Sequence, residues 1–192
     1  SYLVQPYYFS YATAAFYYGL STQAAATVYI ATSAVKGQRL LTVREREYRM
    51  VVQPVHRFFG AVEVDAYGHR VWMAEREKAV VDTLDHPEYA GDTPEIAGML
   101  WRGRGQLDWQ RLAEYALKMQ SVALVQRLGY LGERLELAWP AAVRDQLLAA
   151  VGRNVSYLGQ IGRWGQGGEY NPVWRIVDNV PRPELQAEVE VR

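Results

Sequence analysis

Between Ala74 and Gly91 the segment AEREKAVVDTLDHPEYAG gathers Glu75, Glu77, Lys78, Asp82, Asp85 and His86. Proton transfer and metal-assisted hydrolysis draw on these residue types. On a helix, Glu75, Lys78, Asp82 and Asp85 recur at spacings of three and four, with Ala79, Val80, Thr83 and Leu84 on the opposite side. Lys78 is then one turn from both Glu75 and Asp82, which removes the reason for the raised pKa a general acid needs. The spacing predicts a solvated helix surface laced with opposite charges. The catalytic alternative is a nuclease in which Asp65 and a Glu-x-Lys pair on adjacent strands hold a divalent ion. Glu77 directly precedes Lys78 and Glu75 lies three residues before it, so neither gives the alternation one strand face requires.

The remaining chemistry-bearing residues are sparse. His56, His69 and His86 are the three histidines, and none pairs with another at helical spacing. With no cysteine, the chain has neither disulfides nor thiolate ligands nor a thiol nucleophile, which fits a reducing, cytoplasmic setting. Basic and acidic residues balance at 21 each, so no global field draws the chain to nucleic acid or an acidic membrane, and no apolar run is long enough to span a bilayer. Gly162, Gly165, Gly167 and Gly168 have no Lys-Ser or Lys-Thr after them and predict a turn-forming loop rather than a phosphate cradle. Neither a cofactor nor a metal site is expected, and binding is favoured over catalysis.

Two local arginine groups could serve a partner: Arg39, Arg44, Arg46 and Arg49, and the pair Arg102 and Arg104. A guanidinium engages carboxylates or phosphates with two donors and is enriched at interface hot spots. Trp164 and Trp174 are further candidates, as exposed anchors on a flap.

The elements that must position these residues read as α+β: an N-terminal helix and mixed sheet over 1–74, a helical part over 75–151, and a Gly-rich tail over 152–192 with a short β return. One domain is expected over 1–192. Ser10 caps the first helix and Gly19 stops it. Six tyrosines in the first 18 residues predict ring packing at a core edge rather than a base-stacking platform, because no basic residues lie between them. TVYIAT is a buried strand, Lys36-Gly37 a turn, REYRMVVQP a strand, and FFGAVEVD with RVWMA a hairpin turning at Tyr67-Gly68-His69. Thr93 caps and Pro94 opens a helix through Trp101, Asp108 caps the next, and Pro140 opens AAVRDQLLAAV. Val122, Val125, Leu128, Leu131 and Leu135 form a core stripe between them. VWRIVDNV is the best strand candidate in the tail.

PYYFSYATAAFYYGLSTQ, VYIAT, a strand pair ending in RFFG, AEREKAVVDTLDHPEYAG and LAEYALKMQSVALVQRLGYLGERL, in that order, resemble the AbiEi-type antitoxin and transcriptional regulator family of type IV toxin–antitoxin systems. Two departures are Tyr18, where the family often has His, and Glu75-Arg76, where it often has Asp-Pro before Glu-Lys. The resemblance covers nearly the whole chain. It implies a C-terminal domain that follows a DNA-binding winged helix outside this chain, in keeping with a start at Ser1 rather than Met. It also implies a nucleotidyltransferase-like toxin as partner and operator DNA contacted through the winged helix. Its motif residues Tyr7, Tyr8, Ser10, Gly19, Glu77, Lys78, Asp82, Arg127, Gly129 and Tyr130 are expected to be structural, some of them in a buried polar brace. A DNA-binding regulator whose second domain dimerises or senses a ligand is the remaining alternative.

Overall fold

Aromatic and β-branched residues favour a pleated, half-buried surface, and they supply most of the N-terminal sheet. Residues 6–34, 39–66 and 68–190 are described in a computed structural model. Strand β1 (Tyr7–Phe9) leads directly into helix α1 (Tyr11–Tyr17). Strands β2 (Thr27–Thr32), β3 (Leu40–Val43), β4 (Arg46–Val52), β5 (Ala61–Ala66) and β6 (His69–Ala74) follow. They pair in the order β3-β4-β2-β1-β6-β5. β2 with β4 and β1 with β6 are parallel and the other pairs antiparallel, which makes the sheet mixed.

The chain then turns helical. Helix α2 (Arg76–Asp85) is followed by α3 (Thr93–Gly103), α4 (Trp109–Lys118), α5 (Val122–Arg134) and α6 (Ala141–Ala149). In the tail, β7 (Ser156–Tyr157), the single turn α7 (Ile161–Trp164), β8 (Glu169–Asn171) and β9 (Ile176–Asp178) precede α8 (Arg182–Glu190). Its strands form a second sheet in the order β7-β9-β8. The fold is α+β. No helix among the described residues is long and apolar enough to cross a membrane.

Helix α2 lies where two apolar cores meet. Val80, Val81 and Leu84 pack among the helices with Leu100, Leu112, Leu128 and Trp174, while Ala79 packs with Tyr8, Tyr11, Ala31 and Met73 against the sheet. A helix enclosed on both sides has little room for a solvated face.

Several local expectations need correction. Asp92, not Thr93, caps α3, its carboxylate accepting from the Thr93 amide at 2.8 Å. Val122 is exposed, whereas Val125, Leu128, Leu131 and Leu135 are buried as the stripe predicts. The tail carries three short strands and a closing helix rather than one or two strands. Asp108 caps α4 as expected, accepting from the Arg111 amide at 3.0 Å. The Lys36-Gly37 turn and Tyr67 lie outside the described residues.

Candidate functional site

The charged segment does not form a solvated face. Lys78 and Asp82, one turn apart on α2, are joined in an ion pair whose side chains are both 0% exposed. The expected surface of alternating charge is therefore wrong at its centre, because the sheet covers the side of α2 opposite the helical core. Ser10 Oγ donates to Asp82 Oδ2 at 2.6 Å, and Gln53 Nε2 donates to Asp82 Oδ1 at 3.0 Å. The same amide group donates to the Tyr11 hydroxyl at 2.8 Å, and Gln53 Oε1 accepts from the Tyr8 hydroxyl at 2.7 Å. The Lys78 ammonium also lies 4.7 Å from the centre of the Phe59 ring and 3.6 Å from Met119 Sδ.

A buried carboxylate is stable only when paired and hydrogen-bonded, and Asp82 has a cation and two further donors. Burial, and after it the Asp82 charge, pushes the Tyr8 and Tyr11 hydroxyls well above the ordinary tyrosine range, so both stay neutral donors or acceptors. Tyr11 also holds a left-handed backbone, φ 55°, at the first position of α1, a local strain that the surrounding contacts offset. With Ser10, Lys78 and Asp82 all at 0% exposure, a reactant has no path to them. Their chemistry is spent on joining β1, β4 and α2.

The other motif residues form separate clasps. Arg127 Nη1 donates to the Leu84 carbonyl at 2.9 Å and its Nε to the Tyr157 carbonyl at 3.2 Å, tying α5 to the end of α2 and to β7. Burial lowers the pKa of this guanidinium, with Asp85 and Glu88 opposing. Tyr130 donates to Asp178 Oδ2 at 2.6 Å, fixing α5 to β9. Gly129 lies under the indole of Trp174, where a Cβ would come within 2.0 Å of the ring. Glu77 accepts from the Asp108 amide at 2.9 Å, at the start of α4. Gly19 takes φ 69° just past α1 and releases the chain from it. Tyr7, half-buried, meets Phe9 edge-to-face at 6.1 Å.

Asp65 and Glu77 serve different turns. Asp65 is exposed at the end of β5 and accepts from the Gly68 amide at 2.8 Å. Among the described residues no group of three or more His, Asp or Glu side chains is placed to hold a metal ion. At the end of α2, His86 meets Glu88 at 2.9 Å and stacks on Tyr89, while Arg57 pairs with Asp85 at 2.9 Å.

The two arginine groups part company. Arg44 and Glu45 form the two-residue turn between β3 and β4, with φ 48° and 65°. Arg39, Arg44 and Arg46 are exposed, and Arg49 reaches over the Tyr89 ring at 5.8 Å. None of the four makes an ion pair among the described residues. Arg102, by contrast, is a structural residue: Nε donates to the Leu20 carbonyl at 2.7 Å, Nη1 lies 3.6 Å from Glu188, and the side chain is 15% exposed. It cannot serve as a free contact. Arg104 is exposed but folded over Trp101, 4.1 Å from the ring centre. Trp174 is 0% exposed and is no anchor, and Trp164 is half-buried against Asp92.

Gln53 escaped the sequence reading although it is the hub of the brace. Its one signal is a lone amide closing an otherwise apolar stretch, MVVQ.

No family model and no curated protein matches the chain. A crystal structure of the RV2827C protein from Mycobacterium tuberculosis is similar in fold, with a TM-score of 0.66 at 17% identity over 94% of this chain and 65% of that one. The chain thus spans just under two thirds of the length of that protein.

Proposed function

We propose that this chain is the regulatory antitoxin domain of a type IV toxin–antitoxin system. It counteracts a nucleotidyltransferase-like toxin in the cytoplasm and, with an N-terminal winged helix outside this chain, represses transcription of its own operon. The domain works by binding rather than by catalysis. One observation carries this reading: the side chains most suited to chemistry are sealed in an internal brace, while Arg39, Arg44 and Arg46 project without a carboxylate partner among the described residues. Unpaired guanidiniums on a hairpin at the sheet edge suit an acidic protein surface. The family resemblance supplies the identity of the partner.

A ligand-sensing regulator is the second reading. Its support is a groove of about 500 Å³ between α1 and the sheet, lined by Phe9, Phe16, Tyr17, Val28, Tyr48 and Met73. Its volume falls within the range of small-molecule sites.

Co-purification with the protein encoded beside it, followed by calorimetry, separates the two. Tight association with a nucleotidyltransferase-like neighbour supports the antitoxin reading, and no association removes it.

A further inference from the structure

The two edges of the six-stranded sheet are built differently. β5, at one edge, carries Glu63 and Asp65, both exposed, and charges of this kind deter pairing with another strand. β3, at the other, reads LLTV, without a charge, a proline or a bulge; Leu40 is 46% and Val43 45% exposed. Among the described residues nothing pairs with its outer side.

The register fixes which groups are free. The Met50 amide donates to the Arg39 carbonyl at 2.8 Å, and Leu40 stands opposite Arg49. Leu40–Arg49 is therefore a non-hydrogen-bonded pair, and Leu41–Tyr48 and Val43–Arg46 are the bonded ones. The amide and carbonyl groups of Leu40 and Thr42 point away from β4, to the open side. Four backbone groups await a strand there, bracketed by Arg39 and Arg44.

The arginines select the occupant. A second copy pairing antiparallel, with Leu40 opposite Thr42 of the other, would bring Arg39 of each copy to the position beside Arg44 of its neighbour at both ends. Like charges so placed oppose the pairing. A strand with an apolar centre and acidic residues at its ends has the opposite sign at both positions.

We infer that β3 is a docking edge for an extended, acid-flanked segment of a partner protein, which adds to the sheet as a seventh strand beside β3. The main chain supplies the bonds and Arg39 and Arg44 supply the selectivity. This inference deepens the antitoxin reading, since the toxin is the partner it would seat, but its first test does not need the toxin.

The probe is a short synthetic peptide of alternating valine and threonine with aspartate at each end, compared with the same core ended in lysine. Amide exchange followed by NMR on the whole chain reads each position. On adding the aspartate peptide, the Leu40 and Thr42 amides slow by at least about tenfold while those of Leu41 and Val43, already bonded, change little. The lysine peptide has no effect on the native chain, and Arg39→Glu with Arg44→Glu reverses the preference. Thr42→Pro, which removes an outward donor but no bond to β4, abolishes binding of the aspartate peptide. Equal binding of both peptides, or no change at Leu40 and Thr42, overturns the inference. A toxin that binds native and Thr42→Pro chains equally defeats the inference and leaves the antitoxin reading intact. Peptide binding with no toxin binding does the reverse.

Discussion

Ser10 and Asp82 lie 72 residues apart in the chain, yet the hydroxyl of one donates to the carboxylate of the other at 2.6 Å with both side chains sealed from solvent. The contact puts the start of α1 against the middle of α2. Gln53, at the end of β4, completes the junction by reaching the same carboxylate. The polar brace thus fixes the sheet to the helical part at one point.

Removing one partner of a buried pair leaves the other charge unpaired. Asp82→Ala is expected to destabilise the chain by about 3–5 kcal/mol in urea unfolding. Replacing both partners, with Lys78→Met and Asp82→Leu together, restores much of the loss, because two apolar side chains of similar volume need no pairing. A double variant as unstable as Asp82→Ala would mean that Ser10 and Gln53, rather than the ion pair, dominate.

Gly129 has no room for a side chain beside Trp174. Gly129→Ala forces the indole out of place and costs about 1–3 kcal/mol, as overpacking does. Trp174→Ala costs more, about 3–5 kcal/mol. If packing is the reason, the glycine variant is partly rescued in a Trp174→Leu background, which thermal denaturation would reveal.

His86 is raised above its ordinary value of 6.5 by its hydrogen bond to Glu88, which outweighs the opposing effect of burial. A raised folded value means that protonation stabilises the fold, fully below 6.5 and decreasingly as pH rises through the raised value. His86→Gln should therefore lower the melting temperature more at about pH 5.5 than at about pH 8. A penalty that grows with pH would contradict this sign.

Arg102→Ala should act on stability rather than on partner binding, since its guanidinium joins the Leu20 carbonyl to α8. Its melting temperature falls while the affinity of the folded fraction for the proposed toxin partner is unchanged. An affinity loss at full foldedness would return Arg102 to the interface.

Much of the sheet was legible because local chemistry set it: TVYIAT is β-branched and aromatic, and it is β2 from end to end. Asp108 was legible for the same reason, as a cap needs only its own turn. β1 was not, since three residues running into a helix carry no period. The burial of Lys78 and Asp82 is not legible in the helical spacing, and only the family resemblance, through its buried polar brace, points to it. Helical spacing showed that they share a face, but Ser10 and Gln53, distant in sequence, decide what that face meets. Trp174 failed similarly: its burial depends on Gly129, on another element. The exposure of Arg39, Arg44 and Arg46 was legible because it is a local property, but the turn at Arg44-Glu45 was not, and the role of Arg102 depends on Leu20 and Glu188.

The most direct test of the binding account is calorimetry of the native chain and of Arg44→Glu with Arg46→Glu against the protein encoded beside it, which the proposal takes to be a nucleotidyltransferase-like toxin, at low and high salt. The account predicts tight binding by the native chain that weakens with salt, and a loss of about tenfold or more for the variant at unchanged melting temperature. Equal affinity for native and variant chains at both salt concentrations would contradict it.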